Sequence, residues 1–255
     1  MSLYKPEALV LRVRDFGEAD KILTLLCREE GKVQAVAKGA RRPRNRLAGV
    51  SQPFTHCRLL LFRGRSLDTV SQAELIDSFG GLQADLVPMA YASYMAELAD
   101  ELIRDTDPHP GAFLLLLASQ HLLAAGASPE PVVHSFELRL LGELGYRPSL
   151  EACVHCGGPL SGLRVRFSPN AGGALCTNCL GEDESGTVIS RGTVEAMRHL
   201  LTADLTRVHL LHTEPDMARE MTEALRFYIA YRLDRRLKSL DFLDLVRDQP
   251  SSGMR

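Results

Sequence analysis

The chain has 255 residues, 45% hydrophobic and 24% charged, a composition typical of a globular protein of one or two domains. Its longest central apolar run, residues 112–118, is far shorter than the ~20 residues that cross a bilayer, and the first residues show no secretory apolar segment, so we expect a cytoplasmic protein. The net charge of −2 is unevenly spread: residues 1–80 hold 14 Lys and Arg against 9 Asp and Glu, and the remainder holds 16 against 23. A basic segment ahead of an acidic one predicts that the N-terminal part binds a polyanion.

Short apolar runs separated by Gly, Pro and charged residues predict a β domain over residues 1–80. In the first run Leu9, Leu11 and Val13 alternate with Arg12 and Arg14, the period of a half-buried strand. Five strands are predicted, at 8–14, 21–28, 32–37, 54–62 and 67–76. Five short strands indicate a small closed barrel, for which the OB-fold is the five-stranded candidate and an SH3-like barrel the alternative.

A strongly basic segment lies between the third and fourth predicted strands, at residues 38–46. It contains no acid, and Gly39, Pro43 and Asn45 predict a loop. Clustered arginines on a loop can bind phosphates in bidentate fashion, so we expect nucleic-acid contact here; a solvated basic loop is the alternative. The candidate nucleic-acid-binding residues are Lys38, Arg41, Arg42, Arg44 and Arg46, with Arg12, Arg14, Lys21, Arg63 and Arg65 as extensions of the patch. Because the barrel offers few surface aromatics, we expect base stacking there to be minor.

The apolar period becomes helical after residues 80–81. Helices are predicted from an N-cap at Asp85 to about 103, then at 110–126, 129–145, 190–203 and 214–237. They form an expected helical domain of 81–150 and 188–248, followed by a tail at 249–255. Four cations between Tyr231 and Leu240 are interpreted as complementing the dipole of the last helix.

Two CxxC pairs, Cys153–Cys156 and Cys176–Cys179, are separated by nineteen residues. Two thiolates on each tight turn can face one ion, and this spacing is typical of tetrahedral zinc sites. Disulfides, an iron–sulfur cluster and a thioredoxin-like redox pair are the alternatives, disfavoured by compartment, by spacing and by the missing βαβ pattern respectively.

Four cysteine ligands close the coordination shell of zinc, so we expect one structural Zn²⁺ per chain. We therefore expect an α+β multidomain protein in which a zinc-ribbon module, residues 151–187, is inserted in the helical domain. The module has few large apolar residues, and a metal would hold such a small segment together. His155 is expected to stay outside the ligand set. Cys27 and Cys57 lie in apolar runs and are expected in the core.

Motifs typical of enzymes are missing from the sequence. There is no Walker-type glycine loop, no GxSxG, no HExxH and no paired-carboxylate constellation, so we expect a protein that is not an enzyme. Besides a DNA-binding protein, we consider two alternatives. One is an RNA-binding or regulatory protein in which the barrel and the zinc ribbon both bind RNA, and the other is a scaffold whose acidic helical part recruits partners.

The order of several short segments resembles one known family. Gly17–Lys21 and the Lys-Gly-Ala-Arg-Arg-Pro segment at 38–43 come first, followed by Pro53-Phe54. After the helices come Leu-Gly-Tyr-Arg-Pro-Ser at 144–149, the CxxC pairs and Leu237–Ser239. Over nearly its whole length the chain is similar to the bacterial RecO family of DNA repair and recombination-mediator proteins.

The resemblance implies an N-terminal OB-fold, a helical domain and a Cys₄ zinc site. It also implies binding of single- and double-stranded DNA and annealing of complementary strands. Implied partners are a RecR-like protein, with which RecA is loaded onto coated single strands, and the C-terminal tail of single-stranded-DNA-binding protein, which would dock on the helical domain. The resemblance further implies that the protein hydrolyses no nucleotide, and we expect it to associate with the nucleoid when it is bound to DNA.

Overall fold

A computed structural model of the chain describes residues 2–104, 107–233 and 235–247. It contains nine strands in these ranges. In chain order they are β1 Leu3–Tyr4, β2 Glu7–Phe16, β3 Asp20–Cys27, β4 Gly31–Ala37, β5 His56–Phe62, β6 Asp68–Asp77, β7 Arg164–Ser168, β8 Gly173–Leu175 and β9 Thr187–Ser190.

The same ranges contain seven α-helices and two 3₁₀ turns. The helices are α1 Gly80–Ala84, α2 Leu86–Leu102, α3 Pro110–Ala124, α4 Pro129–Glu143, α5 Arg191–Thr202, α6 Pro215–Ala230 and α7 Ser239–Arg247, and the 3₁₀ turns are Thr177–Cys179 and Leu205–Leu210. The described residues divide into two compact units: 237–247 belong with those of 1–126, and those of 127–236 form the other. Each unit is described separately.

Five strands of the first unit close into a barrel. Around it the order is β2, β3, β4, β6 and β5, and β5 returns to β2, so every edge is paired. All neighbours are antiparallel except β4 and β6, which run parallel. The two-residue strand β1 pairs with the last residues of β5, Leu61 and Phe62, beyond the stretch of β5 that pairs with β2. The predicted five-stranded barrel of OB type, followed by helices, is confirmed.

The barrel core contains small and branched apolar side chains from all five strands. Ala8 and Val10 of β2 lie in it, and a register shift between Val10 and Arg12 brings Val13 to the same side. This bulge makes the predicted single face of Leu9, Leu11 and Val13 wrong, because one extra residue reverses the alternation. Leu9 and Leu11 are also buried, and α2 packs on this strand.

The helices of the first unit are held by specific caps. The side chain of Asp85 accepts a hydrogen bond from the Val87 amide at 2.9 Å, so the predicted N-cap is confirmed. At the far end of the described chain, Glu97 of α2 caps α7, since its two carboxylate oxygens accept the amides of Lys238 and Ser239 at 3.0 and 2.7 Å. This cap brings the end of the described chain back to the first unit.

The second unit combines a three-stranded ribbon with helices α4, α5 and α6. The ribbon order is β8, β7, β9, all antiparallel. Arg139 of α4 donates to the carbonyls of Leu200 and Ala203, which belong to the last turn of α5 and to its C-cap. The last carbonyls of a helix have no intrahelical partner, and α4 supplies partners here: Arg139 donates to both carbonyls, and the Ser135 hydroxyl also donates to that of Leu200 at 2.9 Å.

Most predicted elements are present with bounds shifted by a few residues. Two short helices, α1 and α7, were not predicted, and α6 ends at Ala230 and not at 237. The predicted domains were defined by fold type, whereas the two units are defined by compactness. The units therefore do not test the predicted domain bounds, which stay a prediction. Among the described residues, no helix has both the length and the hydropathy needed to cross a membrane.

Candidate nucleic-acid interface and metal centre

The basic loop, defined here as residues 38–46, follows the end of β4, and apolar residues of the connection between β4 and β5 anchor it in the barrel core. Ala40 is 4% exposed and packs in the barrel core, together with the later residues Leu47 and Val50 of the same connection. These apolar residues hold the connection against the barrel, so its charged residues are presented from a fixed base.

Backbone contacts attach the basic loop to the turn between β2 and β3. The Gly39 amide donates to Oδ1 of Asp20 at 2.7 Å, and the Arg41 amide donates to the Ala19 carbonyl at 2.9 Å. Gly39 has φ +68°, a conformation that a side chain would strain. Asp20 was not predicted as part of this site, although it stands in the 17–21 segment on which the family resemblance rests.

The five predicted cations of the basic loop are all exposed, but they differ in what they contact. Arg41 donates to the Gly17 carbonyl at 3.1 Å, and its Nε lies 3.4 Å from a carboxylate oxygen of Asp15. Within the described residues, no hydrogen bond or ion pair involves the side chains of Lys38, Arg42, Arg44 and Arg46. These four cations are therefore available to a ligand, whereas Arg41 partly serves to hold the loop.

The predicted extensions of the patch lie in three places. Lys21 donates to the Ser51 carbonyl at 3.1 Å and so braces the far side of the connection, and Arg14 is exposed on β2 near the same end of the barrel. Arg12 is paired with the buried Asp100 at 3.0 Å. Arg12 is thus engaged in a structural ion pair.

Arg63 and Arg65 lie in the turn between β5 and β6, which the strand directions place at the opposite end of the barrel from the basic loop. Arg63 stacks on Tyr4, with 4.8 Å between its guanidinium carbon and the ring centroid, and Arg65 is exposed. OB-folds bind oligonucleotides on the face of their second and third strands, flanked by the first and last of the hairpin loops. Here that face belongs to β3 and β4, so it lies between the two basic regions.

The four cysteines of the CxxC pairs converge in the second unit. Their four Sγ atoms all lie within 4.8 Å of one another, and Cys156 and Cys176 are separated by 3.9 Å. A tetrahedral zinc site with ligands at about 2.3 Å has sulfurs about 3.8 Å apart, so the group fits a metal ion of this size. Three cysteines are buried and Cys156 is exposed.

Local turns position each pair. The Gly157 amide donates to the Cys153 carbonyl at 2.9 Å, and Gly157 has φ +69°, which closes the first turn. The second pair follows β8 directly, and the Cys179 amide donates to the Cys176 carbonyl at 2.9 Å. Each pair thus forms a turn that faces its thiols toward the other pair.

The electrostatics of the thiols favour a bound cation. Burial raises the pKa of Cys153, but hydrogen bonds from the amides of Cys156, Cys176 and His155 outweigh it and bring the pKa to about 6. Burial and then the neighbouring cysteine sulfurs raise the pKa of Cys179 to about 12. Four adjacent thiolates repel one another, so all four ionise together only around a cation.

The remaining cysteine and histidine predictions are also resolved. His155 lies outside the cysteine group, with Nε2 at 3.7 Å from a carboxylate oxygen of Glu182. Cys27 and Cys57 are fully buried in the barrel, as predicted. Burial raises the pKa of Cys57 to about 12, so it is inert at neutral pH.

A barrel of OB type with an exposed cationic loop, followed by a helical unit that carries a Cys₄ group, is an arrangement typical of nucleic-acid-binding proteins. Two family models match the chain: Recombination protein O N terminal over residues 1–79 and Recombination protein O C terminal over residues 83–241. The chain belongs to the RecO family, whose role is in recombinational DNA repair.

Curated relatives support this membership over the full length. A DNA repair protein RecO of Symbiobacterium thermophilum is 50% identical over 250 residues, which cover 97% of this chain and 99% of the relative. Proteins of the same name from Pelotomaculum thermopropionicum and Moorella thermoacetica are 43% and 38% identical, over 99% and 96% of this chain and 98% and 91% of the respective relatives.

Proposed function

We propose that this protein is a non-enzymatic DNA-binding and strand-annealing mediator whose phosphate contacts are made by the basic loop. The four unpaired cations Lys38, Arg42, Arg44 and Arg46 are the observation that carries this proposal. Family membership supplies the setting of recombinational repair.

The cations of the loop are suited to contacts with phosphates. Guanidinium groups donate in a planar fork that matches phosphate oxygens, and each contact releases condensed counterions. Such contacts read no sequence. When the phosphate charges of two strands are neutralised on one protein surface, the strands repel each other less, and pairing of complementary strands is favoured.

The proposal is tested by replacing Lys38, Arg42, Arg44 and Arg46 with Ala while keeping Arg41, which holds the loop. If each cation contacts one phosphate, we expect the slope of log K against log salt to fall by about 3 for single strands and by about 3 to 4 for duplex. At 0.1 M salt, affinity should fall by at least about tenfold, equally across sequences, and annealing of complementary oligonucleotides should slow in parallel.

A matched control removes the same charge from the second unit. Arg147, Arg191, Arg207 and Arg219 are exposed, and their replacement by Ala should leave the salt slope within about one of wild type. Wild-type binding by the loop variant would refute the proposal. A strong preference for matched RNA over DNA would instead favour the RNA-binding alternative, because the 2′-hydroxyl distinguishes the two.

We propose that the Cys₄ group holds one structural Zn²⁺, with Cys153, Cys156, Cys176 and Cys179 as ligands. Thiolate softness and the closed shell support zinc in a role of holding the ribbon together. Both arginines of the ribbon have partners within the protein, which supports only a limited role of the ribbon in DNA contact. Arg164 forms an ion pair with Glu220 at 2.6 Å, and Arg166 donates to the Glu184 carbonyl at 2.7 Å.

For partners, we propose a RecR-like protein, with which RecA is loaded onto coated single strands, and the C-terminal tail of single-stranded-DNA-binding protein on the helical part. Membership in the family supports both. We further propose a cytoplasmic location with nucleoid association during DNA binding. Co-purification of each partner with tagged protein at moderate salt is the direct test.

A further inference from the structure

Arg232, two residues beyond helix α6, lies among three tyrosine rings of the second unit. Its guanidinium carbon is 4.8 Å from the ring centroid of Tyr228, 5.2 Å from that of Tyr231 and 5.5 Å from that of Tyr146. Its Nη2 donates to the Pro169 carbonyl at 3.1 Å and to the Tyr228 hydroxyl at 3.2 Å. A cation over one tyrosine is common, but three rings around one guanidinium form a distinct cluster.

The backbone beneath Tyr146 is rigid. Helix α4 ends in a Schellman motif, because the Tyr146 amide donates to the Leu141 carbonyl at 2.7 Å and the Gly145 amide to the Gly142 carbonyl at 3.1 Å. Gly145 has the required positive φ of +81°. The Tyr228 hydroxyl donates to the Tyr146 carbonyl at 3.2 Å, which joins the end of α4 to α6.

The three tyrosines differ in exposure. Tyr228 is 1% exposed and stacks on Phe167 with 5.0 Å between ring centroids, so its role is in the core. Tyr146 and Tyr231 are 40% and 52% exposed. Packing accounts for Tyr228, but it does not require two large aromatic residues to remain in solvent beside a cation.

We propose that Tyr146, Tyr231 and Arg232 form a stacking platform for the bases of single-stranded nucleic acid. Proteins that hold single strands combine cations with aromatic side chains on which successive bases stack, and an arginine plane can take part in the stack. The inference rests on the proposed DNA-binding function but concerns a different unit and a different part of the nucleotide.

The surroundings of the platform favour bases over an acidic peptide. Nη2 of Arg232 already binds two internal acceptors and its Nε is buried, so the guanidinium cannot present its full fork to a carboxylate. The hydroxyl of Tyr231 donates to Asn170, whose amide in turn contacts the carboxylate of Asp183. This negative charge disfavours a carboxylate or phosphate placed directly on the rings, so the phosphates of a bound strand would lie away from Asp183 and the aromatic faces would contact its bases.

The test compares single-stranded and duplex oligonucleotides with Tyr146→Leu, Tyr231→Leu and the double variant. Each leucine keeps apolar volume but removes the ring. We expect each to weaken binding of an oligothymidine by about fivefold or more with the salt slope unchanged, and to change duplex affinity by less than about twofold. Oligonucleotides with 5-iododeoxyuridine should crosslink to Tyr146 or Tyr231 on irradiation.

Two controls separate stacking from folding. Tyr146→Phe and Tyr231→Phe keep the rings and should bind single strands within about twofold of wild type. Leu163→Ala, which removes an unrelated side chain that is 87% exposed, should also leave single-strand affinity within about twofold. Unchanged single-strand affinity in the double leucine variant, equal losses for single strands and duplex, or crosslinks confined to residues 1–80 would each overturn the platform. The proposed function fails on a different result, namely wild-type binding by the basic-loop variant.

Discussion

At the scale of single residues, the buried carboxylate of Asp100 gives the exposed Arg12 a structural role as its ion-pair partner. Its side chain is 7% exposed and contacts Arg12 at 3.0 Å and Lys32 at 3.4 Å, and Lys32 also donates to the Asp100 carbonyl. Arg12 is on β2, Lys32 on β4 and Asp100 on α2, so the carboxylate ties the helix to two barrel strands.

Asp100→Ala should destabilise the protein strongly, because it leaves Lys32, only 11% exposed, without this partner. We expect a loss of about 2–4 kcal/mol in the free energy of unfolding, measured by urea titration. Arg12→Ala is the matched comparison: Arg12 is 46% exposed, so its loss should cost less than about 1 kcal/mol. Equal stability of Asp100→Ala and wild type would contradict the structural role of this carboxylate.

Sequence reasoning at this scale succeeds where the signal is local. The Asp85 cap and the CxxC turns depend on residues within a few positions of one another, so their types and spacing suffice. The pairing of Arg12 with Asp100 was not predicted, because it joins residues 88 positions apart, and a DNA contact by Arg12 stays a prediction. No pattern in the sequence specifies such a pair.

At the scale of elements, the proposed zinc site predicts that the ribbon of β7, β8 and β9 loses stability when one cysteine of the Cys₄ group is replaced. Cys153→Ser should lower bound zinc from about one per chain to near zero and reduce the melting temperature, since a small module obtains much of its folding energy from the metal. Elemental analysis by mass spectrometry and thermal unfolding are the measurements. His155→Ala, beside a ligand but outside the group, should keep its metal. Full zinc content in Cys153→Ser would exclude this ligand set.

A second contact at this scale joins four elements through Glu220 of α6. Its Oε2 accepts the Ser190 amide at 2.7 Å and the Thr193 hydroxyl at 2.6 Å, and its Oε1 accepts Arg164 at 2.6 Å. Burial alone raises the pKa of Glu220, but the hydrogen bonds from Thr193, Ser190 and Arg164 outweigh it and hold the pKa below its ordinary 4.5.

Because the folded pKa of Glu220 lies below the unfolded one, its contribution to stability is complete above pH 4.5 and is lost as pH falls through the folded pKa. Glu220→Gln should therefore cost about 2–3 kcal/mol at pH 7 through weakened charged hydrogen bonds. The difference from wild type should shrink as the pH falls below 4.5. A difference that stays constant between pH 7 and 3 would rule out this linkage.

Element bounds were predictable where apolar period and caps agree, as in α3 and α4, which both begin at a proline. The bulge in β2 could not be predicted, because it depends on pairing with β3. Helix α6 was predicted to reach residue 237, because cations are typical of the last turn of a helix. In the structure α6 ends at Ala230, and Arg232, which follows it, contacts the tyrosine rings.

At the scale of the whole molecule, the order of modest motifs carried more information than any single one. The basic loop and the Cys₄ group are each common in unrelated proteins, yet their succession along the chain matches the family. The platform of Tyr146 and Tyr231 was not predicted, because residues 85 positions apart meet only through the packing of α4 and α6.

The cap that Glu97 places on α7 has a consequence for the order in which the protein can be made. Residues 237–247 complete the first unit, but all of residues 127–236 leave the ribosome before them. During synthesis the barrel and the first three helices remain without α7 while the second unit emerges. The α7 surface of α2 is thus the last to be covered, and a chaperone that recognises nascent chains would find it open longest.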